Sequence, residues 1–206
     1  MERIIFTVGH STHSQERLAE LLRLHHISAV SDVRSQPYSR INPQFNREDL
    51  KDFLNKCGIA YSFLGKELGA RSPDPTCYEG GQVQYGRLAK THLFQQGIKR
   101  IEEGSQKYSI ALMCAEKEPL DCHRTILVSR HLFDAGWTVK HVHADGRLED
   151  HSDAINRLIQ KLGIPKMFLS SAELRAEAYR RQSELIAYNI PTVESNDTEM
   201  YGGTWR

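Results

Sequence analysis

The stretch YSIALMCAEKEPLDCHR, residues 108–124, decides how the rest of the chain is read. Ile110 to Met113 is a short apolar run that ends on Cys114. A run of that length before a polar break has the signature of a buried strand. Glu116, Glu118 and Pro119 make the break, Asp121 is placed to cap a helix, and Cys122, His123 and Arg124 open it. A thiol, carboxylates, an imidazole and a guanidinium therefore gather where a strand ends and a helix begins. Open α/β sheets place their ligands at such points.

Outward from this stretch, strand and helix patterns alternate. Arg3 to Val8, Ile27 to Val33, Ile59 to Leu64 and Trp137 to His143 read as further strands, giving five with Tyr108 to Met113. Thr12 and Gln15 have capping-box spacing, ahead of a helical face made by Leu18, Leu21, Leu22 and His25. Pro37 and Pro43 make 35–45 a loop, and Asn46 caps a helix that buries Leu50, Phe53, Leu54 and Cys57. Residues 66–85, with Gly69, Pro73, Pro75, Gly80 and Gly81, read as one long loop of the kind that serves as a lid or binding segment. Gly86 to Glu103 reads as a helix weakened by Gly97, Asp121 to Ala135 as a helix stopped by Gly136, and His151 to Leu162 as a short helix after an Asp145-Gly146 turn.

This alternation predicts a single α/β domain over residues 1–165, with an open, mostly parallel five-stranded sheet flanked by helices. Residues 166–206 form a C-terminal helical extension. Ser170 and Glu173 have capping-box spacing, and Glu173 to Tyr188 reads as a charge-rich helix that is either solvated or engaged in a homodimer contact. Residues 189–206 read as disordered or partner-dependent.

Lys and Arg total 27 and Asp and Glu 26, a net charge of +1, so no global field draws the chain to nucleic acid or to a membrane surface, and anion binding has to be local. The apolar run Ile4 to Val8 is too short for a signal peptide or a membrane span. Four cysteines, Cys57, Cys77, Cys114 and Cys122, are no disulfide framework in 206 residues, which points to a reduced, cytoplasmic protein.

In a parallel sheet the C-terminal strand ends share one rim. That rim collects His10 and Ser11, Asp32 and Arg34, Gly65 and Lys66, Cys114 and Glu116, and His141 and His143. Solvent exposure alone does not favour His, Cys and Arg over Ser, Asn and Lys. At about 100° per residue, Arg124 lies near the centre of the helix face made by Leu127, Val128, Leu132 and Ala135, His123 at its margin, and Cys122 nearly opposite. A buried Arg124 needs an anionic partner, either Asp32 or Glu116 or a diffusible anion. Cys114 is either a small core residue or a thiolate whose pKa is lowered by Arg124, the helix start and His10 or His123. A metal site is the obvious rival, since Cys114, Cys122, His123 and His10 include suitable ligands, but there is no Cys-x-x-Cys pair and the helical angles put Cys122 away from Arg124 and the sheet, so no metal is expected.

Three segments together resemble a bacterial and archaeal family, the domain of unknown function 488. They are Thr7-Val8-Gly9-His10-Ser11, Asp32-Val33-Arg34-Ser35-Gln36-Pro37, and Met113-Cys114-Ala115-Glu116 with Cys122-His123-Arg124. The resemblance spans residues 3–145 and implies an α/β fold with these polar positions. A fainter one is to rhodanese-like sulfurtransferases, in the early Asp32-Val33-Arg34 and in a strand that ends on a cysteine. Positions 115–120 hold no arginine, so neither the rhodanese loop nor a Cys-x5-Arg phosphatase loop is present.

The expected function is an enzyme, a hydrolase or transferase, acting on a small phosphate- or nucleotide-like anion without a cofactor. Cys114 or His10 would be nucleophile or base, Asp32 and Glu116 would orient or shuttle protons, and Ser11, Arg34, His123 and Arg124 would hold the substrate. The alternatives are a non-catalytic nucleic-acid-binding module that stacks bases on Tyr38, Tyr61 and Tyr85, and sulfur transfer or metal binding.

Overall fold

The computed structural model describes residues 3–165, 167 and 169–191. The strands are β1 (Ile4–Gly9), β2 (Ala29–Asp32), β3 (Ala60–Phe63), β4 (Tyr78–Glu79), β5 (Gln82–Val83), β6 (Ile110–Cys114), β7 (Thr138–Val142) and β8 (Leu148–Asp150). The helices are α1 (Gln15–Leu24), α2 (Arg47–Lys56), α3 (Gly65–Leu68), α4 (Tyr85–Leu88) and α5 (His92–Ser105), then a π-helical segment (Arg124–Ser129) continuing into α6 (Arg130–Asp134), then α7 (His151–Lys161) and α8 (Ser171–Ile186). The main sheet has the order β3-β2-β6-β1-β7-β8, parallel except for β8.

The fold is α/β as the alternation predicts, with six strands in place of five. β8 pairs antiparallel with β7 across the Asp145-Gly146 turn. Its three residues include Glu149 and Asp150, so it carries no apolar signal. An ion pair between Lys140 and Asp150 at 2.7 Å tethers it. The long segment after β3 is also more ordered than a loop, since it holds α3, the β4–β5 hairpin and α4. Thr91 divides the helix read over 86–103: its side chain accepts from the Phe94 N–H and starts α5 afresh. Gly97 has a packing reason, because a Cβ there would press on Glu67 and Leu68 where α3 crosses α5. The cap of α1 is Ser14, whose side chain accepts from the Arg17 N–H, rather than Thr12.

Alternate residues of each strand face opposite layers. Val8, Val30, Ala111, Met113 and Val142 pack against α1 and α2 through Leu18, Leu22, Leu50 and Leu54. Ile5, Ile110, Leu112, Cys114 and Val139 belong to the second layer, with α5, the π-helical segment, α7 and α8. The chain leaves β1 and β2 toward the first layer and leaves β6 toward the second. The C-terminal end of β6, flanked by β1 and β2, is thus a topological switch point, where such sheets open a crevice.

The helix of the C-terminal extension packs on its own chain. Leu174, Ala178 and Tyr179 of α8 join the second core, and Gln182 donates to the Leu120 carbonyl at 2.9 Å. The Ser170–Glu173 capping box is formed. After α8 the backbone runs beside β5: the Val83 N–H donates to Tyr188 O and the Ile190 N–H to Gly81 O, each at 2.9 Å. The expectation of disorder falls mainly on residues 192–206, which lie outside the described residues.

A buried polar chain links this layer. Thr7 Oγ1 lies 2.7 Å from His141 Nδ1, His141 Nε2 lies 3.0 Å from His151 Nδ1, and His151 Nε2 lies 2.7 Å from the Tyr179 hydroxyl. Burial holds both imidazoles below the ordinary histidine range, His151 at about 4.

Candidate functional site

Cys114 ends β6, and the β1 backbone follows it past the sheet: the His10 N–H donates to Cys114 O and the Ser11 N–H to Ala115 O, each at 2.9 Å. This approach requires glycine at position 9, where a Cβ would overlap the Glu116 carbonyl oxygen. Ser11 then turns through φ 49°, a left-handed conformation uncommon outside glycine. Such strain concentrates at working sites.

Two polar groups form here. The first joins β1 to β2 and β3. Arg34 grips Asp32 with Nε and Nη2, at 2.9 and 2.6 Å, and Asp32 also accepts from the Tyr61 hydroxyl at 2.8 Å. Arg34 Nη2 further donates to Phe45 O, and Nη1 lies 3.2 Å from His10 Nε2. A guanidinium only donates, so His10 Nε2 accepts and its Nδ1–H donates to Ser11 O at 2.8 Å. His10 stacks on Phe45, with ring centroids 4.2 Å apart. Burial and the neighbouring Arg34 lower its pKa to about 4, so the imidazole is neutral and its lone pair is occupied.

The second group is Cys114, Cys122 and His123. Their ligand atoms lie within 4.8 Å of one another, and all three residues are buried. His123 Nδ1 is 3.7 Å from Cys114 Sγ and 3.9 Å from Cys122 Sγ, while its Nε2 lies 2.9 Å from Val33 O. The carbonyl fixes the ring, since it can only accept, and turns Nδ1 toward the two sulfurs. Burial opposes a charge on the ring, but the Cys122 sulfur, Glu116 and the Val33 carbonyl outweigh it and raise the His123 pKa. Cys122 Sγ also lies 2.9 Å from Glu116 Oε2 and accepts weakly from the Arg124 N–H.

Two sequence expectations are corrected here. Cys122 faces Cys114 and does not point away. The chain over Pro119–Asp121 is a 3₁₀ turn, Cys122 itself is extended (φ −135°, ψ 140°), and the helix that follows is π-helical. A 100° wheel has no validity across such a segment. The lowered thiol is also not Cys114. Burial pushes the Cys114 thiol well up, and the neighbouring Cys122 sulfur adds to that. For Cys122, burial is outweighed by the Cys114 hydrogen bond, Arg124 and His123, which draw it well below the thiol range. Glu116 is surrounded by protein yet wetted through the cavity. That desolvation and the Cys122 sulfur raise its carboxyl above the usual carboxylate range.

Arg124 is fully buried, and among the described residues neither the Asp32 nor the Glu116 carboxylate pairs with it. Nη1 donates to Glu116 O at 2.7 Å and Nη2 to Lys117 O at 3.4 Å, while Nε has no partner among the described residues. It shapes the 115–117 loop through main-chain carbonyls.

A cavity of about 330 Å³ opens over the second group. From the sequence-derived candidates its wall receives Arg34, Cys114, Glu116 and His123; His10, Ser11, Asp32 and Arg124 stand behind the wall. Cys122, Arg71, Tyr85 and Tyr188 line it as well. Arg71 lies 4.4 Å over the Tyr188 ring. Tyr188 could not be placed from the sequence, since nothing local signals that the chain after α8 returns to this rim. Lys66 is exposed on α3, His141 is absorbed in the buried chain, and His143 is paired with Glu149 at 2.8 Å.

Among the described residues no helix is long and apolar enough to cross a membrane. No curated protein and no solved structure matches the chain. A family model does match, over residues 14–131, a span that takes in the Asp32–Pro37 and Met113–Arg124 motifs and stops short of Thr7–Ser11. That span is more than half of the chain, which therefore belongs to the family described as Domain of unknown function DUF488.

Proposed function

We propose that the chain is an enzyme acting on a small anionic, phosphate- or nucleotide-like substrate held in the cavity at the end of β6. The observation that carries this reading is one juxtaposition. A floor of Cys114, Cys122 and His123 opens into about 330 Å³, and two guanidiniums, Arg34 and Arg71, stand in the wall. Small-molecule sites have that size and that mix of apolar wall and few polar groups. Asp32 satisfies most of Arg34, so Arg71, exposed and stacked on Tyr188, is the cation free to meet a substrate anion. Tyr188, which lines the cavity, supplies a flat wall for a ring.

The nucleic-acid-binding alternative has less support. Tyr61 bonds Asp32 and Tyr85 is buried, so of the three proposed stacking residues Tyr38 alone is exposed.

The test is thermal denaturation with phosphate, sulfate, short dicarboxylates and nucleoside monophosphates, on the parent and on Arg71→Ala. That substitution buries no charge, so the fold survives it. A bound anion stabilises by mass action; the parent is expected to melt higher with at least one of these anions, and Arg71→Ala to lose most of the rise. A parent indifferent to all of them, or a variant that responds equally, rejects the reading.

A further inference from the structure

We infer that Cys114, Cys122 and His123 form a binding site for a single zinc-class divalent ion, with its fourth coordination position open to the cavity beside Glu116. The ion's binding does not depend on the substrate reading above; only the use of the open position does.

Geometry is the first support. Bonds of about 2.3 Å to sulfur and about 2.0 Å to nitrogen, at a tetrahedral angle, place a sulfur and a nitrogen roughly 3.6 Å apart. The two separations here are 3.7 and 3.9 Å. All three ligand atoms, the two sulfurs included, lie within 4.8 Å of one another, so side-chain rotation can bring them onto one ion.

The second support is orientation. Histidine ligands usually donate their other ring N–H to a carbonyl or carboxylate, which fixes the tautomer and the plane. His123 does this with Val33 O at 2.9 Å. The Arg124 N–H lies 3.4 Å from Cys122 Sγ, as backbone donors do around metal-bound thiolates. Cys122 and His123 are adjacent in sequence, yet both reach Cys114. Extended backbone at Cys122 followed by the helical turn at His123 allows it.

The third support is access. Arg124 bonds neither sulfur through its side chain, since Nη1 and Nη2 donate to the Glu116 and Lys117 carbonyls, so the side of the cluster that faces the cavity is open to an ion. Three protein ligands with a cavity-facing fourth position is the pattern of a reactive rather than a purely structural site, and Cys114, Cys122, His123 and Glu116 all line the cavity.

The test uses the full chain, reduced, stripped with a chelator and reloaded with zinc(II) or cobalt(II) chloride. One ion per chain is expected after desalting. The cobalt form should show a thiolate-to-metal charge-transfer band, with visible bands of tetrahedral intensity. Cys57→Ser should keep both, while Cys122→Ser and His123→Ala should lose the stoichiometric ion. Should those variants fail to fold, thiol mapping of the parent decides: zinc should protect Cys114 and Cys122 from alkylation and chelator should expose them. A parent that retains no stoichiometric ion, a Cys122→Ser protein that keeps the same band, or alkylation of Cys114 and Cys122 that ignores zinc each overturns the site. Anion-induced thermal shifts, measured with and without zinc, are read separately, so either proposal can fail alone.

Discussion

His10 shows what a single buried side chain imposes on the behaviour of the protein. Its pKa of about 4 lies below the unfolded value of about 6.5. Folded chain then binds fewer protons than unfolded chain between those values, so stability is complete above about pH 6.5 and is lost as pH falls toward 4. The loss is on the order of 3 kcal/mol for a buried group with this shift. His10→Gln keeps an acceptor for Arg34 and cannot titrate, so urea unfolding at pH 7 and near pH 4 should show a shallower decline than the parent. Equal declines would mean that His10 is solvated. Gly9→Ala acts at the same scale through sterics. Its methyl collides with the Glu116 carbonyl, and overpacking of this kind costs about 1–3 kcal/mol. Calorimetry should find a lower Tm, with the largest NMR shifts in residues 114–117. Gly9 was legible as the end of a strand, but its contact with residue 116 was not, because only the folded register brings the two together.

At the scale of elements, the regular periods were readable and the irregular ones were not. The five parallel strands announce themselves by apolar runs and turn residues, as Ile110 to Met113 does. β8 does not, because a three-residue edge strand carrying Glu149 and Asp150 has no apolar period. The Arg124–Ser129 segment was legible as helix but not as π-helix, since both bury the same residue types. That one difference reversed the placement of Cys122. α8 was legible as a capped helix, while its docking depends on Tyr179 meeting His151. Tyr179→Phe leaves a buried imidazole nitrogen without its partner, a loss of about 1–3 kcal/mol. Hydrogen exchange should quicken in α8 and α7 before it changes in β2 or β3. Uniform acceleration would mean that the helix does not lean on this bond.

For the whole molecule, the C-terminal helix belongs to the core that holds the site. Leu174, Ala178 and Tyr179 cover the same layer as Ile155, Leu158 and Ile159 of α7. A chain ending at residue 165 should therefore expose that layer, bind a hydrophobic dye and aggregate; a monomeric, cooperatively melting fragment would show that the core closes without α8. The strand-end rim was readable at this scale as a place, because parallel topology puts all C-terminal ends on one side. Its division into an Arg34–Asp32–His10 frame and a Cys114–Cys122–His123 floor was not readable, since hydrogen-bond partners follow from distances that no spacing encodes.

The pairing of residues 188–190 with the β4–β5 hairpin also sets an order in time. The floor residues are complete once Arg124 has left the ribosome, but the Tyr188 wall is made some sixty residues later. At roughly 5–20 residues per second, several seconds separate the synthesis of the sulfurs from that of the wall beside them. The last segment, with Tyr188 against Arg71, is therefore the final part of the cavity lining to be made.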